Sequence, residues 1–180
     1  MANLDPNTWY NLANGFVGNN GDSLQSGFPN PPPTGSTFLS PLNSTHNAFR
    51  WQVIHPRDDN TVYILRTQED GANMYMGTGL NKTCSSDGCK TLVQMQPTLD
   101  DSCRWTFGPW DDGTYYLSNK ANASSWHIDI QDNGSWTWMN SNISIARAGQ
   151  HWSVSSIAPI DDATYSTVSS QYFCCARLSF

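Results

Sequence analysis

The stretch Ala148-Gly149-Gln150-His151-Trp152-Ser153-Val154 decides the fold, because two altered copies of it stand earlier in the chain. They are Phe49-Arg50-Trp51-Gln52-Val53 and Cys103-Arg104-Trp105-Thr106-Phe107. Each copy is followed by a turn-rich spacer and an acidic pair: Asp58-Asp59, Asp111-Asp112 and Asp161-Asp162. The first two pairs lead into Val62-Tyr63-Ile64-Leu65 and Thr114-Tyr115-Tyr116-Leu117, and the opening Trp9-Tyr10-Asn11-Leu12 has the same form. The unit therefore runs from a leucine strand, at Leu12, Leu65 and Leu117, to a tryptophan strand, at Trp51, Trp105 and Trp152. A unit of about fifty residues repeated three times buries its apolar face only against its own copies.

Four short strands fit in each unit. In the third, Trp126-His127-Ile128-Asp129-Ile130 alternates apolar with polar residues, the period of a half-buried strand. Asn133-Gly134 then favours the two positive φ angles of a tight hairpin turn, and Trp136-Thr137-Trp138 returns on the other side. In the second unit Met74-Tyr75-Met76 reads as a strand ended by Gly77-Thr78-Gly79, with the Cys84 to Cys89 stretch as an insertion before the third strand at residues 91–95. In the first, Ser23-Leu24-Gln25 and Thr37-Phe38-Leu39 are strands, and the prolines at 29 and 31–33 lack donors and belong to a surface loop. No stretch shows helical periodicity. A propeller needs at least about four blades to close. Three lobes on a pseudo-threefold axis, at about residues 7–54, 60–107 and 113–157, fit better, with one strand pair per lobe closing a barrel and the other capping it.

The 180 residues are enough for one domain with a real core. Apolar residues are 38% of the chain, but eight Trp, seven Tyr and seven Phe concentrate burial in few positions, which suits a small barrel. Nine Lys and Arg stand against 15 acidic residues, and a net charge of −6 offers no surface that could neutralise phosphates, so nucleic acid is excluded as a partner class. No segment approaches membrane-spanning length. The polar, weakly charged surface points to a secreted or extracellular protein, with its leader absent from this chain. Five sequons, at Asn43, Asn81, Asn122, Asn133 and Asn142, would then be glycosylation acceptors.

Cys84 and Cys89 flank an Asp-Gly turn, which brings their thiols within reach of a local disulfide; the alternative is two free thiols in a loop. No second Cys or His pair stands at ligand spacing, so neither zinc nor any other metal or cofactor is expected. Cys103 is either a buried free thiol or the partner of Cys89, and Cys174 and Cys175 lie in the tail. The tail, residues 161–180, begins like a fourth repeat and then loses the pattern; it is expected to be disordered.

Gln150-His151-Trp152, with Ile128-Asp129-Ile130 upstream and an aromatic hairpin between, resembles the repeat of ricin B-type β-trefoil lectins, over about residues 4–160. The opening Asp5-Pro6-Asn7-Thr8-Trp9-Tyr10 and the acidic pairs before Thr look more particularly like the fungal extracellular branch of that group. The resemblance implies an all-β β-trefoil and a carbohydrate-binding role. It implies that Asp129 supplies a carboxylate to sugar hydroxyls, that Trp138 or Trp136 stacks on the ring, that Asn140 is an amide partner, and that Gln150 holds Asp129 or the hairpin in place. The chain departs from the family where Phe49 and Cys103 replace the Gln, where Leu24-Gln25 replaces the binding Asp, and where Gly149 stands in place of a binding Asn. Lobes one and two are accordingly read as scaffold.

Each chemical reading has a plainer one beside it. The acidic pairs recur at one point of the repeat, which argues turn chemistry rather than catalysis. His127 alternates with Asp129 and reads as an exposed strand histidine rather than a base. Trp51, Trp105 and Trp152 recur in register and read as core. Trp136 and Trp138 flank Thr137, so they share a strand face that serves either as an apolar floor or as a stacking platform. The leading function is non-catalytic binding of glycans or glycoproteins through one shallow site in the third lobe. The alternative is a protein-binding trefoil, an inhibitor or the ectodomain of a surface protein. With Asp129 facing outward, Asp129→Ala would leave the melting transition nearly intact.

Overall fold

The computed structural model describes residues 4–15, 23–26, 37–40, 46–86, 88–130 and 137–165, with side chains described for all of these but 23–26, 37–40, 80 and 81. Twelve strands run through them, four to each repeat. The first lobe holds β1 (Thr8–Asn14), β2 (Ser23–Ser26), β3 (Thr37–Ser40) and β4 (Trp51–Ile54). The second holds β5 (Ile64–Thr67), β6 (Tyr75–Ser85), β7 (Gly88–Gln96) and β8 (Trp105–Pro109). The third holds β9 (Tyr115–Asn119), β10 (His127–Ile130), β11 (Thr137–Asn140) and β12 (Trp152–Pro159). The fold is an all-β β-trefoil.

First and fourth strands close a six-stranded barrel. The ring runs β1 to β4, β4 to β5, across the bridge of Tyr63 with Trp105, then β8 to β9, β9 to β12 and back to β1. Closure leaves no barrel strand with an unpaired edge. The second and third strands of each lobe pair as hairpins, β2 with β3, β6 with β7 and β10 with β11.

The register explains the sequence repeat. Each tryptophan strand pairs with the leucine strand of the next lobe, and the partners are Val53 with Leu65, Phe107 with Leu117 and Val154 with Leu12. The three leucines and three tryptophans are 0% exposed, so the repeat is one solution to core packing used three times. The indole Nε1 of Trp105 donates to the Met76 carbonyl at 2.7 Å, and that of Trp152 to the Ile128 carbonyl at 3.4 Å, so these burials leave no indole donor orphaned. Two residues after each leucine stand Asn14, Thr67 and Asn119, opposite Trp152, Trp51 and Trp105. Asn14 Nδ2 donates to the Gly149 carbonyl at 3.0 Å and Asn119 Nδ2 to the Ser102 carbonyl at 2.8 Å, tying lobe to lobe through the turn that precedes each tryptophan.

The acidic pairs do turn chemistry. The second aspartate of each pair accepts the backbone N–H two residues on, Asp59 from Thr61, Asp112 from Thr114 and Asp162 from Thr164, each at 2.9 Å. The hydroxyl of the same threonine, first, and these backbone bonds, second, hold all three carboxyls below the usual value of 3.8.

Two features, one in the second lobe and one in the tail, differ from the sequence expectation, while the disulfide agrees with it. Gly77-Thr78-Gly79 does not end a strand: β6 runs through it to Ser85, so Cys84 to Cys89 is the tip of a long hairpin rather than an inserted loop. A Cβ on Gly77 would lie 2.8 Å from Cys103 Sγ and 2.9 Å from the Gln96 side chain, so this glycine marks close packing. Cys84 and Cys89 form a disulfide across that tip, and Cys103 is a buried free thiol. The tail is folded at least to Tyr165, which lies edge-on to Trp9 at 4.9 Å, sits under the Arg66 guanidinium and donates its hydroxyl to the Thr67 carbonyl at 2.9 Å. Residues 166–180, with Cys174 and Cys175, lie outside the described set.

Candidate functional site

The two faces of the β10–β11 ribbon differ in kind. Residues directly opposite on antiparallel strands point to the same side, and here Ile128 faces Met139 and Ile130 faces Thr137 on the core side. On the other side His127 faces Asn140 and Asp129 faces Trp138. An outer face of this composition reads as open to water, yet His127, Asp129 and Asn140 are all buried, and Trp138 alone of the four is half-exposed. The cover comes from the loop after β11 and from the 3-10 turn Ala148–Gln150. A Cβ on Gly149 would lie 2.6 Å from Asp129 Oδ1 and 2.7 Å from the Ile130 carbonyl oxygen. Only glycine lets the turn sit this close, so this position forms part of a roof.

Under that roof Asp129 is 1% exposed, and its Oδ2 accepts three N–H groups and makes one further ion-pair contact. Asn140 Nδ2 donates at 2.8 Å, Arg147 Nε at 2.9 Å and Gln150 Nε2 at 3.3 Å, and a terminal Arg147 nitrogen lies at 2.9 Å. Charge-assisted bonds of this number fix a carboxylate rigidly. Asp129 Oδ1 is enclosed and has no partner among the described residues. Gln150 also staples the roof, donating to the Asn142 carbonyl at 2.8 Å and accepting from Ser144 N at 3.2 Å. Asn140 Oδ1 accepts from Asn142 N at 2.8 Å.

These contacts correct the expected roles. Asn140 spends both ends of its amide inside the protein, so it is not an open amide partner. Asp129 does not face open water; it binds Arg147, a residue that nothing in Ala146-Arg147-Ala148 marks as paired in the sequence. Trp138 lies across from Asp129, and Trp136 lies outside the described residues. Among the sequons, Asn142 is exposed, while Asn122 Nδ2 is enclosed and leaves no room for a glycan in this fold. Asn81 lies in β6 with its side chain outside the described set, as do Asn43 and Asn133 entirely.

His127 is 4% exposed rather than a surface histidine. Its ring stacks on Tyr116 at 4.1 Å and meets Trp110 edge-on at 5.5 Å. Burial pushes its imidazole from 6.5 down to about 4, against the opposing hydrogen bonds to Gln150 and Ser124. An unfolded chain takes up this proton near pH 6.5 and the folded one only near 4, so the stability from neutral His127 is complete above pH 6.5 and is lost as pH falls toward 4. The loss is on the order of 3 kcal/mol. His127→Phe, which keeps the ring stack, is expected to flatten the fall in melting temperature between pH 6.5 and 4; an unchanged slope would assign that fall to another group. The turn aspartates add their own losses only at lower pH.

His151 closes the neighbouring side. Its ring stacks on Trp110 at 5.2 Å, Nδ1 lies 2.8 Å from Asp112 Oδ2, and Nε2 lies 2.8 Å from the Ile145 carbonyl, which pins the loop a second time.

The second lobe lacks this arrangement. Since Trp105 bonds the Met76 carbonyl as Trp152 bonds that of Ile128, Gly77 is the counterpart of Asp129, and the register makes Gln96 the counterpart of Asn140. Gln96 Nε2 fills the space over Gly77 and approaches Cys103 Sγ at 3.1 Å, leaving a neutral, plugged position. A shallow groove of about 530 Å³ does lie nearby, lined by Leu99, Asp100, Asp101, Ser102, Arg104 and Ala121. Two of its charges are held in ion pairs, Arg104 with Asp58 and Asp101, and Asp101 with Lys120 as well. Among the described residues no three His, Cys, Asp or Glu side chains gather as a metal requires, and no helix is long and apolar enough to cross a membrane.

No family model and no curated protein sequence matches the chain. Among solved structures it is similar to a designed 3-fold symmetric protein, ThreeFoil, with a TM-score of 0.60 and 15% identity, over 85% of this chain and all of that one. At that identity the likeness shows the fold. The β-trefoil is thus established twice, by the barrel ring and by a neighbour built on threefold symmetry.

Proposed function

We propose that the protein is an extracellular, non-catalytic glycan-binding trefoil whose single site lies on the third lobe. The observation that carries this reading is the asymmetry between lobes. The second lobe places Gly77 where the third places Asp129, and the third adds a rigid carboxylate–guanidinium pair beside a half-exposed tryptophan on the same ribbon face. Sugar rings pack their C–H faces on aromatic rings while charged and amide groups hold the hydroxyls. The roof sets the depth. Asp129 lies beneath Arg147, so a ligand meets the guanidinium and the indole, and the carboxylate acts by orienting the guanidinium.

A shallow site of this kind corresponds to a dissociation constant of roughly 0.1–1 mM, so display on a dense glycan array is the appropriate assay. The expected result is a defined set of glycans retained by the wild type and lost by Trp138→Ala, with the melting temperature of the variant within a few degrees of the parent. Retention unchanged in Trp138→Ala would place binding elsewhere. An array with no hits would favour the protein-binding reading.

A further inference from the structure

We propose that Arg147 makes this a site for acidic sugars, in which the guanidinium grips the carboxylate or sulfate of one residue of a short glycan; the inference rests on the glycan-binding reading above. The geometry of one ion pair carries it. A guanidinium is a planar fork with five N–H donors. In Arg147, Nε and one terminal nitrogen both reach Asp129 Oδ2 at 2.9 Å, which engages the side-on edge of the fork. The other terminal nitrogen has no partner among the described residues, so the end-on edge, one N–H from each terminal nitrogen, is left to accept an oxyanion in the bidentate manner that suits arginine best.

The group is also positioned in advance. Oδ2 is held by Asn140 and Gln150 as well, and the Arg147 backbone N–H donates to the Ser144 carbonyl at 3.0 Å, so neither partner of the pair is free to reorient. The Arg147 side chain is 28% exposed, enough to present one edge while its stem stays packed. An arginine that served only to neutralise Asp129 would need no open edge. Trp138, across the ribbon from Asp129, supplies the surface for the ring that bears the acid. The net charge of −6 sets the size of the ligand: a single oxyanion is drawn by one local guanidinium, whereas an extended polyanion is repelled by the whole molecule.

The test compares matched probes: lactose against its sialylated and its 3-O-sulfated forms, titrated into the intact protein, wild type and Arg147→Gln. Arg147→Gln is the variant of choice because a half-exposed side chain is removed and its fold is checked independently by melting. The expected result is at least tenfold tighter binding of one or both acidic forms over lactose, collapsing to parity in Arg147→Gln, with Arg147→Lys recovering only part of the preference because an ammonium lacks the fork. The sialylated and sulfated arms separate a carboxylate site from a sulfate site. Equal binding of all three probes, or a preference that survives in Arg147→Gln, would overturn the acidic-sugar inference and leave glycan binding standing. Failure of these probes together with a blank array would overturn both.

Discussion

Trp105→Ala is expected to cost about 3–5 kcal/mol and to unfold much of the population near physiological temperature. The residue is fully buried, its indole donates to the Met76 carbonyl at 2.7 Å, and its backbone N–H and C=O both bond Tyr63, the bridge that closes the barrel between the first and last strands of the second lobe. Truncation therefore opens a cavity, orphans a carbonyl and loosens a seam of the ring together. Urea melts of Trp105→Ala and Trp152→Ala should show losses of similar size, because the two positions are equivalent. A loss below 1 kcal/mol at either would mean that the core closes without that indole.

Asp129→Ala is expected to destabilise by about 2–4 kcal/mol, the cost of breaking a buried pair less the relief Arg147 finds by turning to water. The sequence predicts the opposite, a nearly unchanged melt, because it reads Asp129 as facing outward. The difference comes from the roof: the carboxylate is the acceptor for Asn140, Arg147 and Gln150, and its removal leaves amide donors enclosed without partners. Asp129→Asn should fall between the wild type and Asp129→Ala in calorimetric melts. If Asp129→Ala melts with the parent, the roof is loose and the site is open in solution.

The fold was legible in the sequence because one packing solution recurs with a fixed register. Leu65 pairs with Val53, Leu117 with Phe107 and Leu12 with Val154, and each pair imprints the same residue types at the same separation from its tryptophan. The candidate site was legible in part. Alternation in His127-Ile128-Asp129-Ile130 correctly sorts the two faces of β10, but alternation cannot say whether the polar face meets water or a covering loop, and here Gly149 lets the turn descend onto it. Arg147 gave no signal, since its pairing with a residue 18 positions away depends on that descent. Likewise Gly77-Thr78-Gly79 reads as a strand end by composition, whereas Gly77 is demanded by the closeness of Gln96 and Cys103. In each case the missing information was tertiary contact at a glycine.

The most direct test of third-lobe glycan binding is a two-dimensional NMR titration of the labelled protein with a glycan retained on the array, following the indole N–H of each tryptophan and the Nε–H of each arginine. The Trp138 indole and Arg147 Nε signals are expected to shift together along one saturable curve, while those of Trp51 and Trp105 in the first two lobes stay fixed. Saturable shifts confined to the first or second lobe, or no shifts at ligand concentrations of several millimolar, would contradict the account.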